Sequence, residues 1–162
     1  MMTIREATLN DTNGIWEIFE QVVKPGDTYA FDPDSSRDDM LKLWFAPTMS
    51  VYVAEENNKI LGTYFIKPNQ VGLGAHIANC GYMVHAETRG RGLGKQLCEH
   101  SLVTARERGY KGMQFNFVVS TNTTAVKLWQ NLGFSIIGTI PGGFKHRQLG
   151  YVDAYIMFQE IN

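Results

Sequence analysis

A glycine-rich segment with three cations is the part of the sequence best suited to chemistry. It reads Arg-Gly-Arg-Gly-Leu-Gly-Lys over residues 89–95, between a predicted strand and a predicted helix. Glycines let the backbone adopt positive φ and approach a ligand closely. The first amides of a helix are unpaired donors at the positive end of its dipole. The segment therefore predicts a pyrophosphate site, with Arg89, Arg91 and Lys95 as the surrounding cations.

Two common nucleotide-binding motifs do not account for this segment. A P-loop requires a glycine where Arg89 stands and a Ser or Thr where Gln96 stands. A Rossmann fingerprint requires a glycine where Lys95 stands, directly after the first strand of its unit. Here, three or four predicted strands precede the loop. Both motifs are therefore excluded on specific residues.

The elements that position this loop follow from apolar periodicity and turn signals. Strands are expected at 3–7, 51–54, 60–66, 77–84, 113–119, 135–140 and 153–158. Helices are expected after Asp11, after Ser35 or Ser36, over 92–108, and after Thr121 or Asn122. This order predicts a mixed sheet with helices on both faces, and its second half favours parallel pairing through crossovers.

Composition and charge exclude several classes of protein. The 162 residues fit a single domain over 1–162, and 44% hydrophobic with 19% charged residues are the values of a globular chain. The net charge of −1 gives no global case for binding nucleic acid or an anionic membrane. The chain shows no signal peptide, no membrane span and only two cysteines, so a cytoplasmic location with free thiols is expected.

Two motifs carry a resemblance to a known family. Arg-x-x-Gly-x-Gly, from Arg89 through Gly92 to Gly94, resembles motif A of the GCN5-related N-acetyltransferases, the GNAT superfamily, which binds the pyrophosphate of acetyl-CoA. Residues 122–134 are similar to its motif B, N-x-x-A-x-x-L-Y-x-x-x-G-F. The order of predicted elements also matches this family. The resemblance implies an α/β fold of the α+β type, in which a mixed, mostly antiparallel sheet is splayed between its fourth and fifth strands and has helices on both faces.

The resemblance also implies a cofactor site. Backbone groups near Met83 and Val84 would bond the pantetheine of acetyl-CoA, and Asn122 would contact the cofactor in addition to capping its helix. The pyrophosphate would be held by Arg89, Gly90, Arg91, Gly92, Leu93, Gly94 and Lys95. We expect no metal, because the four histidines show no ligand spacing with either cysteine.

Two positions depart from the common pattern of this family. Many members carry a Glu base where this chain has Asn79 and a Tyr acid where it has Trp129. An amide does not take up a proton at neutral pH, and an indole N–H is a poor acid. Asn79 and Asn116 are our catalytic candidates, positioning the substrate or a proton-carrying water and polarising the thioester. The alternative is that both are satisfied core asparagines.

The loop after the first helix lines the acceptor site in GNAT folds. Tyr29 and Phe31 lie in this loop with Asp27 and Asp32, a set that suits a small cationic or zwitterionic amine. The alternative is ordinary loop packing. The asparagines on the fourth and fifth strands look like those of a GNAT subgroup that acetylates amino acids, their analogues and phosphinothricin-like compounds.

We therefore expect an acetyl-CoA-dependent N-acetyltransferase that acts on a small-molecule amine, with amino acids and their analogues as candidates, by direct attack on the thioester. Two alternatives stay open. One is acetylation of a protein at a lysine or an N-terminus; the other is a non-catalytic acyl-CoA-binding sensor, favoured by the missing Glu and Tyr. Homodimerisation is compatible with the resemblance, although no residue identifies an interface.

Overall fold

A seven-stranded sheet in the order β1-β2-β3-β4-β5-β7-β6 organises the molecule, which a computed structural model describes over residues 1–162. The strands are β1 (Thr3–Glu6), β2 (Ser50–Glu56), β3 (Lys59–Pro68), β4 (Ile77–Val84), β5 (Gly112–Val119), β6 (Ser135–His146) and β7 (Gly150–Glu160). The helices are α1 (Thr12–Val23), α2 (Arg37–Trp44), α3 (Leu93–Glu107) and α4 (Thr123–Asn131). None of these helices is long and apolar enough to cross a membrane.

Neighbouring strands run antiparallel except β4 and β5, which are parallel and joined through α3. The predicted fold class is confirmed. The expected parallel pairing across the whole second half is wrong, because β6 and β7 form a hairpin and β7 then pairs with β5. The crossover through α4 therefore joins two strands that are not neighbours.

The sheet opens between β4 and β5. Both strands have eight residues, yet they pair only at Ile77 with Gly112 and at Ala78 with Met113. β4 meanwhile stays paired with β3 from Ala78 to Val84. A gap therefore begins at the third residue of β4 and extends toward the glycine-rich loop. We refer to this opening as the gap and to its closed end, at residues 78 and 113, as its apex.

Apolar clusters cover the two faces of the sheet. The cluster under α3 includes Tyr64, Leu97, Met113 and Phe115. The cluster under α1 and α2 includes Ile15, Phe19, Trp44 and Phe65. Because successive side chains of a strand point to opposite faces, the odd-numbered residues of β4 face α1 and α2, and the even-numbered ones face α3.

Two predicted features differ in detail from the structure. Asp11 does not cap α1: its carboxylate accepts from Thr8 N at 2.7 Å and pairs with Arg5 at 2.8 Å, so it closes a capping box one turn earlier. β6 and β7 are longer than expected, because a register shift between Ile140 and Phe144 carries the intervening glycines within the hairpin. The two cysteines are free and buried, as expected.

Candidate cofactor and acceptor site

The register of β3 and β4 fixes which backbone groups face the gap. Asn69 N donates to Ile77 O at 2.7 Å and His85 N donates to Leu61 O at 2.8 Å, so these two pairs are hydrogen-bonded pairs of the ladder. Bonded and non-bonded pairs alternate along an antiparallel ladder. Every second residue of β4 therefore directs its N–H and C=O away from β3 and toward β5.

Cys80, Tyr82 and Val84 are the β4 residues whose backbone groups point into the gap. Val84 thus occupies the place expected of it. Met83 is the register partner of Thr63 and its side chain is buried under α1 and α2. The backbone groups of Met83 therefore face β3, whereas those of its neighbour Tyr82 face the gap.

The glycine-rich loop presents consecutive amides without acceptors. Gly90 and Gly92 have φ of 78° and 73°, a region that side-chain-bearing residues adopt at a cost. The first bond of α3 runs from Gln96 N to Gly92 O at 3.1 Å. Four preceding N–H groups have no partner: Gly92, Leu93, Gly94 and Lys95. These donors lie at the positive end of the α3 dipole, an arrangement that suits an anion.

The three predicted cations of the loop are not equivalent. Arg91 Nη2 donates to Glu56 Oε2 at 2.9 Å, and this contact lowers the pKa of the Glu56 carboxyl. Lys95 Nζ lies 3.8 Å from Glu99. Arg89 is exposed and forms no ion pair. Arg89 is therefore the cation of the loop that is free to meet an anion.

Asn79 is the first residue of β4 beyond the paired end of the gap. Its side chain is buried, and its Nδ2 donates to Gln114 O of β5 at 2.9 Å. The side chain of Asn79 thus bridges β4 and β5 just beyond the last residues that pair the two strands. Asn79 therefore marks the point where the two strands separate. Its hydrogen bond is also what the alternative interpretation, a satisfied core asparagine, predicts.

Asn116 is exposed, so the expectation that it is buried is wrong. Its neighbour Phe115 points under α3, whereas Asn116 points to the opposite face. Its Nδ2 donates to Asn69 Oδ1 at 2.7 Å, and its Oδ1 accepts from Gln114 Nε2 at 3.0 Å. Three amides therefore form a row across β3 and β5 beside Asn79, which we call the amide row (Asn69, Gln114 and Asn116).

Lys67 is a candidate that sequence reasoning missed. It is the register partner of Asn79 on β3, and cross-strand partners share one face of a sheet. Lys67 is half-buried and has no carboxylate within ion-pair distance. Only the strand register places this cation beside the apex of the gap, and the register is not readable from the sequence.

Tyr29 anchors the α1–α2 loop to the edge of the gap. Its hydroxyl donates to Tyr82 O at 3.0 Å, and burial raises the pKa of the phenol, so it stays protonated. Gly81 makes room for this contact, since a Cβ there would lie 3.1 Å from the Tyr29 hydroxyl and 2.5 Å from the Phe65 ring. Phe31 stacks on Tyr29 with ring centres 5.5 Å apart. The predicted acceptor loop is therefore docked on the wall of the gap.

The end of β6 closes against the same loop. Arg147 N donates to Gly26 O at 3.0 Å, and its guanidinium donates to Lys24 O at 2.8 Å. His146 is buried, and its Nδ1 accepts from the backbone N–H groups of the following turn at 3.0 and 3.1 Å. The neutral imidazole therefore carries its proton on Nε2. The β6–β7 hairpin and the α1–α2 loop are thus joined.

The remaining candidates for covalent or acid chemistry are inert. Cys80 is buried and Tyr82 half-buried under α3, and loss of hydration raises the pKa of both groups. Trp129 packs against the ring of Tyr82 with centres 5.1 Å apart. Asn122 caps α4 through a 3.4 Å contact with Ala125 N. The site thus offers hydrogen-bonding groups and cations, without a thiolate or an acidic phenol.

Comparisons with known proteins agree with this geometry. Residues 14–134 match the acetyltransferase (GNAT) family. The chain is 32% identical over 152 residues to N-acetyltransferase aca1 of Schizosaccharomyces pombe, covering 83% of this chain and 72% of that protein. A GCN5-related N-acetyltransferase from Kribbella flavida is 40% identical, with a TM-score of 0.93 over 98% of this chain and 97% of the other. The protein yncA of Salmonella typhimurium, solved with its cofactor acetyl-CoA, is 25% identical, with a TM-score of 0.86 over 100% and 95%.

Proposed function

The chain belongs to the GNAT family of acetyltransferases, and on this premise we propose that it transfers the acetyl group of acetyl-CoA to the amine of a small molecule, an amino acid or an amino-acid analogue. The observation that supports a small-molecule acceptor is the contact between the α1–α2 loop and the end of β6. Arg147 joins the end of β6 to Lys24 and Gly26 of the α1–α2 loop. The joined loop and hairpin bound the acceptor side, which favours a small amine over the extended polypeptide that an open groove would take.

The residues present fit acetyl-CoA. Four unpaired amides at the start of α3 and the free guanidinium of Arg89 match a pyrophosphate in charge and in hydrogen-bond type. The backbone edge formed by Cys80, Tyr82 and Val84 offers donors and acceptors to the amide-bearing pantetheine. Bound acetyl-CoA supplies an activated acyl group as a thioester.

The acceptor amine loses its proton without a carboxylate or an imidazole among Lys67, Asn79 and the amide row. Asn79 and the amide row surround the apex on the acceptor side, and none of these amides takes up a proton near neutral pH. We assign Asn79 and Asn116 to orienting the amine and a water through which its proton leaves. The attack is direct, because the buried Cys80 thiol stays protonated.

Lys67 and the amide row favour a zwitterionic acceptor. The unpaired ammonium of Lys67, next to Asn79 in the register, complements a carboxylate. The Asn79 and Asn116 amides lie beside it and are suited to the amine end of the same molecule. An amino acid or an analogue carries both groups within a few bonds.

An acceptor panel tests this proposal. Free amino acids and short amines are compared with lysine-containing peptides, at equal amine concentration, while release of the CoA thiol is followed. We expect turnover on free amino acids and none on peptides above the blank. Lys67→Met keeps the length of the side chain and removes its charge, so it serves to test the carboxylate contact. It should raise KM for amino acids and leave KM for amines without a carboxylate unchanged.

The other outcomes have defined meanings. Preference for peptides would replace the small-molecule acceptor with a protein acceptor. Tight acetyl-CoA binding without turnover on any amine would indicate a sensor. If Lys67→Met left the KM for both acceptor classes at its wild-type value, the carboxylate contact would be refuted. The acetyltransferase assignment would still stand.

A further inference from the structure

His85 is a buried titratable side chain that none of the preceding chemistry uses. It follows β4 and immediately precedes a 3-10 turn at Ala86–Thr88, which leads into Arg89. Its Nδ1 accepts from Glu87 N at 3.1 Å and so caps that turn. Its C=O accepts from Thr88 N at 2.9 Å and from Thr88 Oγ1 at 2.7 Å. His85 therefore sets the conformation of the chain that enters the glycine-rich loop.

The other ring nitrogen of His85 reaches α1. Because Nδ1 accepts a backbone N–H, the neutral ring carries its proton on Nε2, which donates to Glu17 Oε1 at 3.1 Å. Gln21 lies one turn further along α1, and its Oε1 accepts from Ala86 N at 3.2 Å. Its Nε2 lies 3.2 Å from His85 Nε2, and because both nitrogens carry protons this approach is not a hydrogen bond. The entry to the loop is thus bound to α1 at two successive turns.

Two further contacts hold the loop from the side of the β2–β3 hairpin. Lys59 Nζ donates to both Glu87 carboxylate oxygens at 2.9 Å, and Arg91 is paired with Glu56. These pairs are exposed, and exposed ion pairs contribute little to stability. The Glu17 side chain is also exposed, at 55%, but the His85 imidazole that joins it to the turn is buried, with His85 3% exposed. The buried imidazole is therefore the stronger determinant of how the loop is aimed.

We propose that His85 is a positioning residue for acetyl-CoA, which aims the pyrophosphate-binding amides by joining the turn before them to Glu17 of α1. The proposal rests on the assignment of the loop amides to acetyl-CoA made above. On this proposal, side chains of α1 influence the affinity for acetyl-CoA although α1 supplies none of the loop amides. The same helix leads into the α1–α2 loop, so cofactor and acceptor sites share one support.

Two substitutions of His85 separate its cap of the 3-10 turn from its bond to Glu17. His85→Asn places an amide oxygen near the position of Nδ1, so it keeps the cap and loses the bond to Glu17. His85→Gln places its amide near the position of Nε2, so it keeps the bond to Glu17 and loses the cap. Glu17→Ala removes the α1 partner without touching the turn. Glu20→Ala is the matched control, because it removes the same charge from the same helix and Glu20 makes no side-chain hydrogen bond or ion pair.

Calorimetry measures the Kd of acetyl-CoA, and kinetics compares acetyl-CoA with S-acetylpantetheine, which lacks the pyrophosphate. We expect His85→Gln to weaken acetyl-CoA binding about tenfold, as loss of a helix cap does. His85→Asn and Glu17→Ala should each weaken it roughly threefold, and their combination no more than either alone. Glu20→Ala should have no effect. The KM for S-acetylpantetheine should stay the same in all four single variants, because a general loss of folding would raise both.

Equal Kd values for acetyl-CoA in wild type, His85→Gln and Glu17→Ala would overturn the proposal. A parallel rise in KM for S-acetylpantetheine would also overturn it, by showing a general structural role. Glu17→Ala keeps the test valid if a His85 variant does not fold. Failure of the wild-type protein to bind acetyl-CoA would instead refute the proposed function, so the two failures are distinguishable.

Discussion

The glycine-rich loop and the apex of the gap are built in opposite ways. The loop takes its four free donors from consecutive residues at the start of one helix. The apex takes Lys67, Asn79 and Asn116 from three strands, and its amides are bonded to one another or to the backbone. The donors of the loop come from one short segment and have no partners. The apex is assembled from distant segments, and its amides, unlike the Lys67 ammonium, are hydrogen-bonded within the protein.

This difference separates affinity from selectivity. Unpaired helix amides and a free cation bind any suitably shaped anionic group, so the loop suits a cofactor shared by many enzymes. A satisfied amide row must exchange its own hydrogen bonds for those of the acceptor. Such an exchange is favourable only when the acceptor presents matching donors and acceptors. Changes at the loop should therefore act on acetyl-CoA, and changes at the apex on the amine.

The pH dependence of catalysis should show the largest effect, because the apex residues Lys67, Asn79 and Asn116 include no carboxylate or imidazole to act as a base. kcat/KM should rise about tenfold per pH unit below the pKa of the acceptor amine and then level off. The midpoint should follow the acceptor, so two amines of different pKa should give profiles displaced by that difference. A midpoint common to both amines would indicate a protein base and contradict this account of the apex.

Gly92→Val should selectively damage the loop. Gly92 has φ of 73°, and a Cβ there would meet nothing within 4 Å, so the substitution acts through backbone strain alone. A β-branched residue in this region costs about 1–3 kcal/mol, which corresponds to roughly 5- to 150-fold weaker acetyl-CoA binding by calorimetry.

Gly94→Ala is the control for this substitution. Gly94 lies inside α3 without a positive φ, and its Cβ would lie 3.5 Å from Leu128. Its Kd should stay within about twofold of wild type. Similar losses in both variants would mean that the shape of the turn is not what binds the anion.

The sequence predicted the loop better than the apex for a physical reason. The residue types of the segment from Arg89 to Lys95 alone indicate that a helix begins there. In the structure α3 begins within one residue of the expected position. The prediction that Asn116 is buried was wrong because no helix covers its face of β5. Which face of a strand is covered depends on tertiary packing and not on the residues of the strand alone. The place of Lys67 beside Asn79 and the direction of the Met83 and Tyr82 backbone groups follow from the β3–β4 register. Alternating apolar residues alone do not determine that register.

Asn79→Ala and Asn116→Ala should divide the apex into a buried and an exposed part. Loss of Asn79 leaves Gln114 O without its donor and frees the closed end of the gap, so kcat should fall roughly tenfold. Loss of the exposed Asn116 should lower kcat about threefold. Steady-state kinetics with one amino acid and circular dichroism for the fold check both. Full turnover in Asn116→Ala with an unchanged fold would remove Asn116 from the mechanism.

Tyr29→Phe tests the contact that joins the two regions, and its effect should be the smallest. The substitution removes one hydroxyl and keeps the ring that stacks on Phe31. Loss of the bond to Tyr82 O loosens the acceptor loop, so KM for the amine should rise about three- to fivefold, near the value of one hydrogen bond. The Kd of acetyl-CoA should be unchanged or slightly lower, since the freed carbonyl faces the gap. A rise in that Kd with no change in amine KM would place Tyr29 on the cofactor side and reverse the division between affinity and selectivity.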